Sequence, residues 1–170
     1  SVSLDIVDEM NQIVLEILSL SSVQELAGDK EWIQLDQVVE QILDQYKVLA
    51  QSRALTIDNQ IPAKPIYMDP AILKLVLSNV ISNAVKHSDA GGEIQLRLEE
   101  EGTHLAIENA SQEMVETAEL PMTASRQKKE GGLGLFVVQH LLDHEELAYQ
   151  FDKTAMGLRF RMELPKEPQE

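Results

Sequence analysis

Residues 75–88 read Leu75-Val76-Leu77-Ser78-Asn79-Val80-Ile81-Ser82-Asn83-Ala84-Val85-Lys86-His87-Ser88. Most of these positions are apolar at helical spacing, which predicts a buried helix. Asn79, Asn83 and Lys86 stand at i, i+4 and i+7 and so share one face of it. Amides and a cation on an otherwise apolar helix need partners, because an unpaired buried polar group costs ~1–3 kcal/mol. A polyphosphate with its magnesium ion would supply them. An asparagine oxygen is a neutral ligand for a hard cation, and a lysine sets charge against phosphate. The alternative is a core helix whose asparagines cap or bridge neighbouring backbone.

Upstream, Asp69-Pro70 marks the start of this helix, with Asp69 at the N-cap and Pro70 at the first helical position. Downstream, Gly131-Gly132-Leu133-Gly134-Leu135 precedes the apolar-periodic run Phe136, Val137, Val138, Leu141, Leu142. That pattern predicts a glycine turn opening a second helix, whose free N–H groups suit an anion. A plain turn is the alternative. Met156-Gly157 and the alternating Leu158-Arg159-Phe160-Arg161-Met162-Glu163-Leu164, ended by Pro165, predict a turn and a strand.

In this order the segments "NVISNAVKHS", "IEN", "GGLGLFVVQHLL" and "MGLRFRMELP" resemble the catalytic ATP-binding domain of sensor histidine kinases. That domain belongs to a superfamily with gyrase B, MutL and the ninety-kilodalton chaperones. The resemblance covers about residues 35–165. It implies a Bergerat-type ATP-binding fold and Mg-ATP as the ligand. It also implies that Asn83 binds magnesium, that Asn79 is the first asparagine of the N box, and that Lys86 contacts phosphate. His87 stands where that box often carries tyrosine or histidine. Gly132, Leu133, Gly134 and Leu135 match the second glycine box, whose backbone wraps the phosphates.

The chain departs from the family pattern at the first glycine box, Asp-x-Gly-x-Gly, whose aspartate accepts from the adenine amine. Here the strand His104-Leu105-Ala106-Ile107-Glu108 runs into Asn109-Ala110-Ser111, without either glycine. Asn109 holds the aspartate's place and keeps an acceptor oxygen without its charge. Only residues 110–130 separate the two boxes, so a short lid is expected, and the family's phenylalanine box is not recognisable. Arg126, Lys128 and Lys129 fall in that lid. Lys129, next to the glycine box, is a candidate for phosphate contact, and a solvated basic loop is the alternative.

The chain has 170 residues, enough for one domain with an appendage, and 44% of them are hydrophobic, as a packed core requires. The formal charge of −15 argues against nucleic acid or an anionic membrane as partner. Cysteine is absent, which removes disulfides and thiolate chemistry. No apolar run approaches the ~18 residues of a membrane span. The chain starts at Ser1 rather than at methionine. With the resemblance, this suggests the cytoplasmic portion of a longer sensor whose anchor lies upstream.

Residues 3–27 predict a long amphipathic helix. Ile6, Met10, Ile13, Ile17 and Leu20 alternate steps of four and three, forming a heptad seam, and Val7, Val14 and Leu18 widen it. A surface helix of a globular domain would look similar. The resemblance places here the second helix of a dimerisation and histidine-phosphotransfer hairpin, hence a homodimer. Residues 1–30 are therefore assigned to that helix and 31–170 to the ATP-binding domain. Leu35, Val38, Val39, Ile42, Leu43, Tyr46 and Leu49 predict one further amphipathic helix. Strands are expected at 55–58, 66–67, 93–98, 104–109, 147–151 and 158–164. The whole predicts an α/β two-layer sandwich of a mixed sheet against helices.

The histidines are His87, His104, His140 and His144, and none lies in a motif like the family's phosphoacceptor. The first hairpin helix is therefore expected to be missing from this stretch. His140 and His144 have metal-ligand spacing, but no third ligand pattern accompanies them. The resemblance implies a protein-histidine kinase that passes its phosphoryl group on to a response regulator. An ATPase or serine kinase of the same fold usually carries glutamate at the Asn79 position. A degenerate nucleotide-binding or dimerisation module without turnover is the non-enzyme alternative.

Overall fold

In the computed structural model the described residues are 28–112 and 132–168. The expected helix at 3–27, its heptad seam and the basic residues up to Lys129 lie outside them. The elements are β1 (Glu31–Gln34), α1 (Leu35–Gln45), α2 (Lys47–Ser52), β2 (Thr56–Asn59), β3 (Pro65–Met68) and α3 (Pro70–His87). They continue with β4 (Glu93–Glu99), β5 (His104–Ala110), α4 (Gly132–His144), β6 (Tyr149–Lys153) and β7 (Gly157–Glu163).

Five strands form one sheet in the order β2-β4-β5-β7-β6. The pair β2–β4 is parallel and the other pairs are antiparallel, so the sheet is mixed as expected. Its strands alternate. Ile94 and Leu96 on β4, Leu105 and Ile107 on β5, and Leu158, Phe160 and Met162 on β7 are buried in the core. On the opposite face Arg97 pairs with Glu99 at 3.0 Å and Glu108 at 3.2 Å, and Arg159 pairs with Asp152 at 3.3 Å. An exposed ion pair contributes ~0.2–1 kcal/mol. A fully buried leucine or isoleucine contributes ~1.5–3 kcal/mol. The apolar face therefore decides the layering.

That face is covered by α3, α4 and α1. Ile72, Leu73, Val76, Leu77, Val80, Ile81, Ala84 and Val85 of α3 are buried, as are Leu135, Val137, Val138, Leu141 and Leu142 of α4. The helices α3 and α4 pack on each other, and α1 packs on α3. Among the described residues no helix is long and apolar enough to cross a membrane.

Three local expectations change. The helix expected over Leu35–Leu49 is two helices, broken at Tyr46, whose φ of −102° and ψ of 7° leave the helical region. Tyr46 lies within 3.4 Å of the Ser78 hydroxyl across the α1–α3 contact. The strand at 66–67 does not join the main sheet. It is the middle of β3, which pairs with the unexpected β1 in a separate two-stranded sheet. Strand ends move by one or two residues at β2 and β6.

Candidate functional site

The site begins with how α3 is started and stopped. The Asp69 carboxylate accepts the Ala71 N–H at 2.9 Å and Pro70 occupies the first helical position, as their sequence predicts. At the other end Ser88 caps the helix, its N–H and hydroxyl both donating to the Ala84 carbonyl. The Arg53 guanidinium donates to the Ser88 carbonyl, and Gly91 turns the chain with φ of 77°.

Between these ends the asparagine face is real. Asn79 is 3% exposed. Its Nδ2 donates to the Leu75 carbonyl at 2.7 Å, but its Oδ1 is buried without a hydrogen-bond partner. The backbone-bridging alternative thus accounts for one end of the amide and leaves the other exposed to that full cost. Asn83, Lys86 and His87 follow on the same helix and are half-buried.

Asn109 stands on β5, the central strand, 5% exposed and on the helix-covered face with Leu105 and Ile107. In register it faces Ile94 on one side and Leu158 on the other. A polar side chain at this place is out of keeping with its apolar row. The backbone around it is crowded. A Cβ at Gly157 would overlap the Asn109 carbonyl and the Ser111 N–H, so only glycine lets β7 approach β5 here. A Cβ at Gly92 would lie 2.9 Å from the Asp89 carbonyl and 3.2 Å from the Ala110 side chain.

Residue 132 is the first of α4, so the second glycine box opens a helix as expected. The Leu135 side chain is 2% exposed and sits in the core. Leu135 is the fourth residue of α4, so its N–H is the first that the helix itself can pair. The fold brings α3 against both α4 and β5, so Asn79, Asn83, Asn109 and the start of α4 lie on adjoining elements. Lys129 lies outside the described residues. Arg53, Ser88 and Asp89, which tie this end of the molecule together, were not singled out from the sequence. Their signal is long-range pairing, which no local pattern carries.

The chain is similar to known proteins over most of its length. A sensor histidine protein kinase, HK06 of Streptococcus pneumoniae, is 30% identical over 171 residues, covering 95% of this chain. The sensor protein VanSB of Enterococcus faecalis is 30% identical over 172 residues, covering 93% of the chain. The chain spans only 38% of the length of each. Among solved structures, the cytoplasmic segment of the histidine kinase QseC matches with a TM-score of 0.68 at 19% identity, over 94% of this chain and 95% of that one. The Acinetobacter baumannii histidine kinase AdeS matches with 0.70 at 20% identity, over 92% and 76%. Full-length ShkA, in complex with AMPPNP, matches with 0.67 at 18% identity, over 94% and 35%. Residues 68–168 match the model described as histidine kinase-, DNA gyrase B- and HSP90-like ATPase. The chain therefore belongs to that ATPase family, and its fold is the one seen in histidine kinase catalytic domains.

Proposed function

We propose that this chain is the ATP-binding catalytic core of a two-component sensor histidine kinase. It would present the γ-phosphoryl group of Mg-ATP to a histidine nitrogen on a dimerisation hairpin, releasing ADP. A response-regulator aspartate would then receive the phosphoryl group. The observation that carries this reading is the buried, unpartnered Asn79 Oδ1 on the asparagine face of α3. A buried acceptor of that kind fits a site whose occupant brings a cation and its water shell. Magnesium, when bound, neutralises phosphate charge during transfer. Asn83 would hold the ion, Asn79 would support its shell and Lys86 would set charge against phosphate. Asn109 would accept from the adenine amine, and the first N–H groups of α4 would face the phosphates.

Phosphoryl transfer needs positioning and charge neutralisation more than covalent work by the protein. Asn79 supports transfer over hydrolysis. A glutamate there could take a proton from water, whereas an amide cannot act as a general base. The domain would be the cytoplasmic part of an anchored sensor, dimeric through residues 1–30. The altered first glycine box, with Asn109 in place of aspartate, favours a second reading as a nucleotide-binding module without turnover.

Calorimetry with a non-hydrolysable ATP analogue, with and without magnesium, tests the site. Wild type should bind in a magnesium-dependent way, and Asn83→Ala should lose more of that dependence than Lys86→Ala. Equal affinity with and without the ion would overturn the role of Asn83. Labelling of a supplied histidine hairpin by γ-labelled ATP separates the kinase from the module.

A further inference from the structure

The turn between α3 and β4 is bonded twice to the end of β5. The Asp89 N–H donates to the Ala110 carbonyl at 3.0 Å. The Asp89 Oδ2 accepts the Gln112 N–H at 2.8 Å. These bonds bracket Ser111, two residues beyond Asn109, on the side where β4 begins. From the other side Ser111 donates to the Met156 carbonyl at 3.0 Å. Behind the turn, Arg53 donates to the Ser88 carbonyl and its own carbonyl accepts the Gly91 N–H at 2.9 Å. The turn is thus held from α2 and in turn holds β5.

We propose that Asp89 is a positioning residue for the nucleotide. It sets the separation between the Asn109 end of β5 and the asparagine–lysine face of α3. The inference rests on the reading of the site given above. On that reading the base is recognised from β5 and the phosphates from α3. A nucleotide has a bounded span, so contacts at its two ends add fully only where the protein has set their spacing beforehand. Apolar packing of α3 on β5 resists separation but is non-directional. The paired bonds from Asp89 are directional and fix where along its length β5 meets the end of α3. The carboxylate is a charged acceptor, which makes the Gln112 bond the stronger kind. Asp89 is exposed, so its truncation removes the carboxylate bond to Gln112, and leaves the backbone bond to Ala110, without opening the core.

The test compares wild type, Asp89→Ala and Asp89→Asn. Two readouts are needed: exchange of the Gln112 amide hydrogen, and the Kd of a magnesium complex of a non-hydrolysable ATP analogue. Asp89→Ala should speed Gln112 exchange and raise the Kd on the order of tenfold, the scale of a lost hydrogen bond to a charged group. Asp89→Asn, which keeps an acceptor oxygen, should recover most of both losses. An unchanged Kd in Asp89→Ala would overturn the positioning role. So would an Asn variant that protects Gln112 yet binds as weakly as the Ala variant. Failure of wild type to bind the analogue would overturn the nucleotide reading and the positioning role together, and that result is distinct from either of the others.

Discussion

Asn109 carries the only side-chain amide in its row on β5, between Leu105, Ile107 and the flanking Ile94 and Leu158. Proposed as the adenine reader, it differs from an aspartate in one respect that can be measured. Its oxygen accepts from the amine of adenine, but rotation of the amide presents its NH₂ to the carbonyl of guanine. Asn109→Asp removes that second option and adds charge. The preference for ATP over GTP should rise by about 1–2 kcal/mol, the difference between a neutral and a charge-assisted bond. Competition binding of the two nucleotides to both proteins checks it, and an unchanged ratio would place adenine recognition elsewhere. The asparagines of α3 were legible in the sequence because their partners in the pattern lie three and four residues away. Asn109 was singled out only through the resemblance, as the residue standing where the first glycine box has its aspartate. Arg53 and Asp89 were not legible, because each acts on a backbone group that the chain brings near only after α3 has crossed the sheet. A serine-aspartate turn before two glycines looks like any turn until its acceptor is known.

The elements were legible in proportion to how local their causes are. The start of α3 is set by Asp69 and Pro70, adjacent in sequence, and both take the expected roles. The alternation read in β7 is present in its structure, where Leu158, Phe160 and Met162 are buried and Arg159 and Arg161 form ion pairs. By contrast, β1 shows no buried position, and only its pairing with β3 makes it a strand. The break at Tyr46 was hidden because apolar residues continue across it at helical spacing. Parallel pairing of β2 with β4 is also a long-range fact, made possible by the crossover through α3. Among the described glycines, the tightest surroundings are at Gly157. Gly157→Ala must push β7 from β5 at the Asn109 end of the sheet. It should destabilise the domain by roughly 1–3 kcal/mol, the usual scale of overpacking. Denaturant unfolding of the variant checks this through the midpoint, and an unchanged midpoint would show that the strands part freely.

For the whole molecule, one helix-covered face and one ion-paired face make a domain that folds by burial and leaves its site along the helices. The proposed homodimer rests on the heptad seam at 3–27. If that seam pairs, wild type should self-associate at high concentration and the Ile13→Lys, Ile17→Lys double variant should sediment as a monomer. A wild type that stays monomeric would count against it. The Asn79 oxygen has a broader consequence. A folded state that buries an acceptor within α3 without a partner is locally frustrated: the sequence has kept a conflict that a leucine would resolve. Asn79→Leu loses the bond to the Leu75 carbonyl but also the orphaned oxygen. Replacing a half-satisfied buried amide by an apolar side chain of similar shape is neutral to stabilising. The ligand-free domain should therefore melt no lower than wild type, by scanning calorimetry, while magnesium-dependent nucleotide binding falls. The resting domain then sits above the lowest energy its backbone allows, and selection for stability alone would drive this position away from asparagine.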